Sequence, residues 1–321
     1  MTTNTDQPPP EVHHYHHLEE VPWDIQNYWR QRYNIFHRYD EGVWLTDEAW
    51  YGVTAEPVAS KIAEHMSSSS PAGRSILIDA FAGAGGNTIA FARSGKWKRI
   101  YAIEKDPAVL LCAKHNAKVY GVEDKITWFE GDCFEILKSQ LKDLAPYSVI
   151  FASPPWGGPG YRTDKVFNLG TMQPYSLATL YQEYSAFTEH MVLFLPRTSD
   201  LRQLAKVVKD GHKTSVMHYC IDGLVGYFLS SAFSPTHYFL FISTAHNPLA
   251  RLFIPATIPP AYSSSSGFSQ ISSYVVYSRL FPVALTGSRR ASIIHPSFTR
   301  RLRLLTPFAH FPRSHRLCDS S

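Results

Sequence analysis

Between residues 75 and 229, short unbroken apolar runs alternate with stretches whose apolar positions recur every three to four residues. These are the signatures of buried strands and of helices packed on one face. The runs 75–79, 99–104, 126–129, 148–152 and 191–195 predict five strands, and the stretches 87–94, 107–119, 134–144, 177–190 and 200–208 predict the helices around them. Segments 214–220 and 224–229, joined by Ile221-Asp222-Gly223, predict a closing hairpin with an Asp-Gly turn. Repeated βα units ending in an antiparallel pair describe an α/β fold with an open, mainly parallel, seven-stranded sheet and helices on both faces. Ligands of such sheets bind beyond the carboxyl ends of the strands.

The flanks are patterned differently. Trp29, Tyr33, Phe36 and Tyr39 follow at intervals of four, three and three, one face of a helix that Asp40-Glu41-Gly42 ends. Thr54 reads as the cap of a second helix, with Glu56 near the positive end of its dipole, Pro57 in its first turn, and Val58, Ile62 and Met66 on one side. The serines 67–70 with Pro71 and Gly73 read as a linker. Residues 21–70 are thus expected to form a small helical extension and residues 71–229 the main domain. Residues 1–20 hold Pro8-Pro9-Pro10 and His13, His14, His16 and His17 without a period, and are expected to be a flexible arm. Four histidines hold a metal only when a folded frame makes them converge, so a solvated tail is the plainer reading and no metal site is assigned. Residues 230–321 mix Ser, Pro and Arg with apolar clusters such as 238–242, show no sustained period, and are expected to stay outside the fold. An Arg-rich RNA-contacting arm, a separate module and an extension without a selected role are the three readings of that tail.

The chain has 321 residues, 44% hydrophobic and 18% charged, enough to bury a core. Its formal charge of +4 is small, but it is unevenly spread. The tail holds nine Arg, no Lys and one acid, Asp319, which leaves the body near −4 and the tail near +8. An acidic body argues against a long phosphate-tracking surface on the core. Four cysteines without a C-x-x-C pair argue against a disulfide framework and fit a reducing, intracellular setting. No long apolar run suggests a membrane span, and the amino end has no apolar signal region.

The chemistry lies in two turns. The first strand runs into Asp79-Ala80-Phe81-Ala82-Gly83-Ala84-Gly85-Gly86-Asn87. Close glycines let backbone approach a ligand, and a helix N-terminus beyond them presents free N–H groups. A dinucleotide turn wants a further Gly where Thr88 stands, while an acid just ahead of the turn suits S-adenosylmethionine, whose sulfonium and ammonium are cationic. Asp79 fits those charges, Glu104 at the end of the second strand fits a ribose diol, and Gly131-Asp132 after the third fits an adenine amino group. The plain alternative is that Asp79 or Glu104 only caps a turn. After the fourth strand stands Ser153-Pro154-Pro155-Trp156-Gly157-Gly158-Pro159, similar to the (Asp/Asn/Ser)-Pro-Pro-aromatic loop of methyltransferases that act on exocyclic amines. An aryl amine has its lone pair drawn into the ring, so acceptors must hold its N–H bonds and aim the nitrogen at the methyl carbon. The Ser153 side chain and the carbonyls of Ser153 and Pro154 are such acceptors, and the prolines fix their geometry. Trp156 can stack on the base, and an indole suits a cationic base through cation–π attraction. A Pro/Gly surface turn with a packed Trp is the plain alternative here.

Together, Asp79-Ala80-Phe81 with Gly83-x-Gly85-Gly86-Asn87-Thr88-Ile89, Ser153-Pro154-Pro155-Trp156-Gly157-Gly158-Pro159-x-Tyr161 and Phe194-Leu195-Pro196-Arg197 closely resemble the trimethylguanosine synthases. Tyr28-Trp29-x-x-Arg32-Tyr33-x-x-Phe36, Asp40-x-Gly42 and Val53-Thr54-x-Glu56 extend the resemblance over residues 23–229. It implies a class I, Rossmann-like S-adenosylmethionine-dependent methyltransferase that converts 7-methylguanosine RNA caps to the 2,2,7-trimethyl form. It further implies that Thr54, Asp79, Phe81, Gly83, Gly85, Asn87, Glu104 and Asp132 serve the cofactor. Ser153, Pro154 and Trp156 would be catalytic, and Ser153, Pro155, Trp156 and Arg197 would hold the substrate. Glu104 stands where the family commonly has Asp, with the same charge on a longer arm. The implied partners are capped small nuclear and nucleolar RNAs, with ribonucleoprotein recruitment, and the implied compartment is the nucleus, in the nucleolus or nuclear bodies. The rivals are an amino methyltransferase acting on internal guanine or adenine, and a cap-binding scaffold without turnover.

Overall fold

The computed structural model describes residues 8–157, 164–196, 198–207, 213–221, 236–243 and 271–276. Strands β1 (Ile76–Asp79), β2 (Arg99–Glu104), β3 (Ile126–Glu130), β4 (Ser148–Ala152) and β5 (His190–Pro196) are parallel. Strands β6 (Lys213–Ile221), β7 (Thr236–Ser243) and β8 (Ile271–Val276) complete one sheet in the order β3-β2-β1-β4-β5-β7-β6-β8, the last three antiparallel to their neighbours. The strand order turns back between β1 and β4, which opens a crevice at their carboxyl ends.

Two expectations change at this end of the sheet. β6 pairs with β7, not with a strand over 224–229, a segment that lies outside the described residues. The tail therefore contributes to the fold, since β7 sits between β5 and β6, and β8 makes the sheet eight-stranded rather than seven-stranded. The physical reason is register. β7 pairs along all of β5, from His190 opposite Ser243 to Pro196 opposite His237, and covers an edge a six-residue hairpin arm cannot cover.

Alternation along the central strands builds two cores. Leu77, Val149, Phe151, Val192 and Phe194 face the helices α4 (Glu56–Ser69), α5 (Gly86–Arg93) and α6 (Pro107–Val119). Ile78, Ile150, Ala152, Met191 and Leu193 face α7 (Cys133–Ser139) and α8 (Leu177–Ser185), with α9 (Leu201–Val207) beyond. The extension, with the one-turn helices α1 (Gln26–Trp29), α2 (Arg32–Ile35) and α3 (Ala49–Gly52), belongs to the first core.

The arm and the linker also differ from expectation. Val12 is 3% exposed, His13 and Leu45 exchange backbone hydrogen bonds of 2.8 and 3.0 Å, and the Tyr15 carbonyl accepts from the Trp29 indole. Residues 8–20 are thus fastened to the extension by a bridge too short to leave a periodic pattern. Among the described residues no group of three or more His, Cys, Asp or Glu is placed to hold a metal ion. Ser67 to Ser69 continue α4 and Ser70 ends it, with the hydroxyls of Ser67, Ser69 and Ser70 turned back onto the carbonyls of Ala63, His65 and Met66. Thr54 does not cap α4; Ala55 occupies that position, and the Thr54 hydroxyl accepts from Asn87 Nδ2 at 2.9 Å.

Two polar clamps hold the extension on the sheet domain. Asn116, fully buried on α6, accepts from the Trp44 amide at 2.8 Å and donates to the carbonyls of Trp44 and Ala84 at 2.9 and 3.0 Å. Beside it the Trp44 and His115 rings stack at 3.6 Å, and His115 Nε2 donates to the Gly42 carbonyl. Glu56 accepts from the His37 amide and the Tyr120 hydroxyl and pairs with Arg93. Burial works against its charge, but the His37 amide, the Tyr120 hydroxyl and the His37 ring outweigh it and hold the carboxyl below its usual range. Asn116→Ala strips both backbone partners from Trp44 and is expected to destabilise the fold by about 2–4 kcal/mol. A fall in Tm of less than about 2 °C in a thermal melt would contradict that role for the clamp.

Candidate active site

The crevice at the carboxyl ends of the strands is a cavity of about 530 Å³. Each wall comes from a different turn. The turn after β1 contributes Phe81, Gly83, Gly86 and Asn87, and it can lie this close because Gly85, at φ +93°, packs where a Cβ would stand 3.4 Å from the Ala113 backbone. Gly86 similarly admits the extension, since a Cβ there would meet the Thr54 carbonyl at 3.3 Å. Glu104 closes β2, Gly131 and Asp132 follow β3, Ser153-Pro154-Pro155-Trp156 follows β4, and Glu48, Tyr51, Gly52 and Thr54 enter from the extension.

The carboxylates are positioned by backbone. Glu104 Oε2 accepts from the Gly83 amide at 2.8 Å, and its Oε1 accepts from the amides of Lys105 and Asp106, so the longer arm bridges the strand end to the glycine turn. Asp132 caps α7, its Oδ1 accepting from the Phe134 and Glu135 amides, while Oδ2 accepts from the Tyr175 hydroxyl. Burial, then the bond to Asp132, pushes the Tyr175 phenol up. Tyr51 donates to Asp24 at 2.6 Å, and burial followed by that bond pushes its phenol up to about 12. Trp156 is half-buried against both cores, its ring 5.9 Å from that of Phe194.

Ten of the residues singled out from the sequence therefore line one cavity: Thr54, Phe81, Gly83, Asn87, Glu104, Asp132, Ser153, Pro154, Pro155 and Trp156. Three do not. Asp79 is 0% exposed and lies beneath the glycine turn, because the last residue of β1 is still paired on both sides, with Ala102 and Phe151. Its Oδ2 accepts from the Thr88 hydroxyl at 2.6 Å, its Oδ1 has no hydrogen-bond partner, and burial pushes the carboxyl up to about 7. Gly85 packs against α6 instead of facing the cavity, and Arg197 lies outside the described residues. Sequence reasoning missed Glu48, Tyr51, Lys105 and Tyr175, which all line the cavity. Only Tyr51 had a signal, its place just ahead of the Val53-Thr54-x-Glu56 motif.

The chemistry of this donor set suits S-adenosylmethionine. Asn87, on the cavity wall, gives its amide N–H to Thr54 and keeps a buried carbonyl oxygen without a donor. Buried acceptors without donors favour a ligand rich in N–H, O–H and positive charge. An ammonium, a sulfonium, a ribose diol and an adenine amino group supply all of these.

Comparison with known proteins agrees with this geometry. Residues 74–232 match the RNA cap guanine-N2 methyltransferase family. The chain is 38% identical over 205 residues to the trimethylguanosine synthase of Schizosaccharomyces pombe, covering 63% of this chain and 83% of that protein. It is 33% identical over 184 residues to the trimethylguanosine synthase of Saccharomyces cerevisiae, covering 57% of this chain and 58% of that protein. A methyltransferase crystal structure from Porphyromonas gingivalis W83 superposes with a TM-score of 0.50 at 16% identity, over 79% of this chain and 58% of that one, a likeness of fold alone. The sheet is that of the class I S-adenosylmethionine-dependent methyltransferases, and the chain belongs to the RNA cap guanine-N2 methyltransferase family.

Proposed function

We propose that the protein transfers methyl groups from S-adenosylmethionine to the exocyclic N2 of 7-methylguanosine RNA caps, in two rounds that end at the 2,2,7-trimethyl form. The observation that carries this reading is the convergence of the Ser153-Pro154-Pro155-Trp156 loop with the glycine turn, Glu104 and Asp132 on one cavity. Bound there, the cofactor supplies an electrophilic methyl group on a sulfonium. In this reading Glu104 accepts from the ribose diol, Asp132 from the adenine amino group, and Asn87 Oδ1 from the ammonium. Trp156 stacks on the 7-methylguanine, whose positive charge strengthens the contact. Ser153 and the Pro154 carbonyl hold the two N2–H bonds and aim the nitrogen. Once the C–N bond has formed the amine is cationic and loses its proton readily, so no strong base is needed.

Glu48 adds guanine selectivity. It is exposed on the extension's side of the cavity, and a carboxylate there matches the N1–H of guanine, a donor that adenine lacks. Glu48→Gln is expected to raise KM for 7-methyl-GDP about tenfold with a smaller change in kcat. An unchanged KM removes Glu48 from base recognition. The substrates in this reading are capped small nuclear and nucleolar RNAs, met in the nucleus, within the nucleolus or nuclear bodies, and delivered by ribonucleoprotein partners.

The deciding experiment is methyl transfer from labelled S-adenosylmethionine to two RNAs that differ only in their caps, 7-methylguanosine or plain guanosine. Label confined to the 7-methylated cap and ending as dimethylated N2 is the expected result. Label on both, or on uncapped RNA, would shift the activity to an internal base.

A further inference from the structure

Trp23 stands apart from the other described tryptophans. Its side chain is 85% exposed, whereas Trp29, Trp50 and Trp97 are buried and Trp44, Trp128 and Trp156 are half-buried. The exposure is not that of a loose end. Val21 and Ile25 on either side are buried, the Ile25 amide donates to the Pro22 carbonyl at 3.1 Å, and Gln26 Nε2 donates to the Val21 carbonyl at 3.2 Å. Asp24 accepts from the Tyr51 hydroxyl at 2.6 Å, and Tyr51 lines the cavity. A pinned turn thus holds a large aromatic ring in water, one residue from a side chain bonded to the cavity wall.

Resting on the cap reading above, we propose that Trp23 is the stacking platform for the base of the nucleotide that follows the cap. When the 7-methylguanine sits against Trp156 inside the cavity, the phosphate bridge and the next nucleoside lie outside it, and the extension, with Glu48 and Tyr51, forms one side of that mouth. The turn that carries the ring is already fixed, so only the side-chain rotamers of Trp23 are ordered when a base lands on it. Stacking on an aromatic face tolerates any base, which suits an enzyme that meets RNAs with different first nucleotides. The body of the chain is near −4, so a stacking contact gives RNA a hold that does not depend on a track of cations.

The test is steady-state methyl transfer by the full chain to 7-methyl-GDP, to the cap dinucleotide with adenosine after the triphosphate, and to the same dinucleotide with an abasic ribose in place of adenosine. Wild type is expected to show a KM about tenfold lower for the adenosine dinucleotide than for the abasic one. Trp23→Ala should erase that ratio and Trp23→Phe should keep most of it. The abasic comparison needs no variant, so it holds even where Trp23→Ala folds poorly. A wild-type ratio near one, or a ratio that persists in Trp23→Ala, overturns the platform and leaves the cap reading standing, because that reading is scored on 7-methyl-GDP alone. Failure of wild type to methylate 7-methyl-GDP takes down both.

Discussion

Trp156→Ala is expected to lower kcat/KM for 7-methylguanosine caps by about two to three and a half orders of magnitude while the Kd for S-adenosylmethionine changes by less than about threefold. The size follows from two losses. Cation–π attraction to a desolvated cationic base contributes about 2 kcal/mol, and the apolar contact of one face of a purine adds about 1–3 kcal/mol. Together they give about 3–5 kcal/mol, which converts to this range at about 1.4 kcal/mol per decade. The structure adds a complication, because Trp156 also packs against both cores and lies beside Phe194. Truncation leaves a hole as well as an absent platform. Trp156→Phe separates the two, since a phenyl ring refills most of the space but is a weaker cation–π partner; it should restore the thermal midpoint and only part of the activity. Equal loss of both ligands in Trp156→Ala would show that one residue serves both halves of the cavity.

The parts of this fold that were legible in the sequence are those where one force acts alone. β1, β4 and β5 are buried on both faces and read as unbroken apolar runs, β2 and the edge strand β3 are partly exposed and still carry short apolar runs, and the helices between them bury one side and read at helical period. β7 was not legible. Its apolar run was visible at 238–242, but the Asp222-Gly223 turn offered a shorter, locally complete hairpin, and only the pairing along the whole of β5 decides between them. In the site, the glycine turn and the Ser-Pro-Pro-Trp loop were legible because each is a short contiguous segment with unusual backbone demands. Tyr175 was not, because its importance lies in reaching Asp132 from 43 positions away. Glu48 looks like any acid just ahead of a short helix until the extension is placed against the glycine turn.

Asp79 lies elsewhere than its position ahead of the glycine turn suggests. The sequence put its carboxylate on the cavity wall, and the structure puts it beneath, with one oxygen on Thr88 and the other without a partner. Burial pushes its carboxyl from 3.8 up to about 7. A raised pKa means that the fold prefers the protonated form, so Asp79 supports stability fully at pH below about 4 and this support is lost as pH rises through 7. Without cofactor, the thermal midpoint should therefore fall between about pH 4 and 7 by an amount that Asp79→Asn removes. The cofactor reverses the preference. Attraction between a cation and a buried carboxylate, of the order of 1–3 kcal/mol at an effective dielectric of about 20, corresponds to about 10- to 100-fold in affinity for a cationic ligand over an ionised Asp79. Wild-type affinity for S-adenosylmethionine should then strengthen from pH 6 to pH 8 with uptake of the ligand releasing a proton, while Asp79→Asn should bind about 10- to 100-fold more weakly at pH 8 and show no such dependence. Calorimetric titrations in two buffers of different ionisation enthalpy read the affinity and the proton together. Undiminished affinity in Asp79→Asn at pH 8 would reduce Asp79 to a partner of Thr88 that only braces the glycine turn.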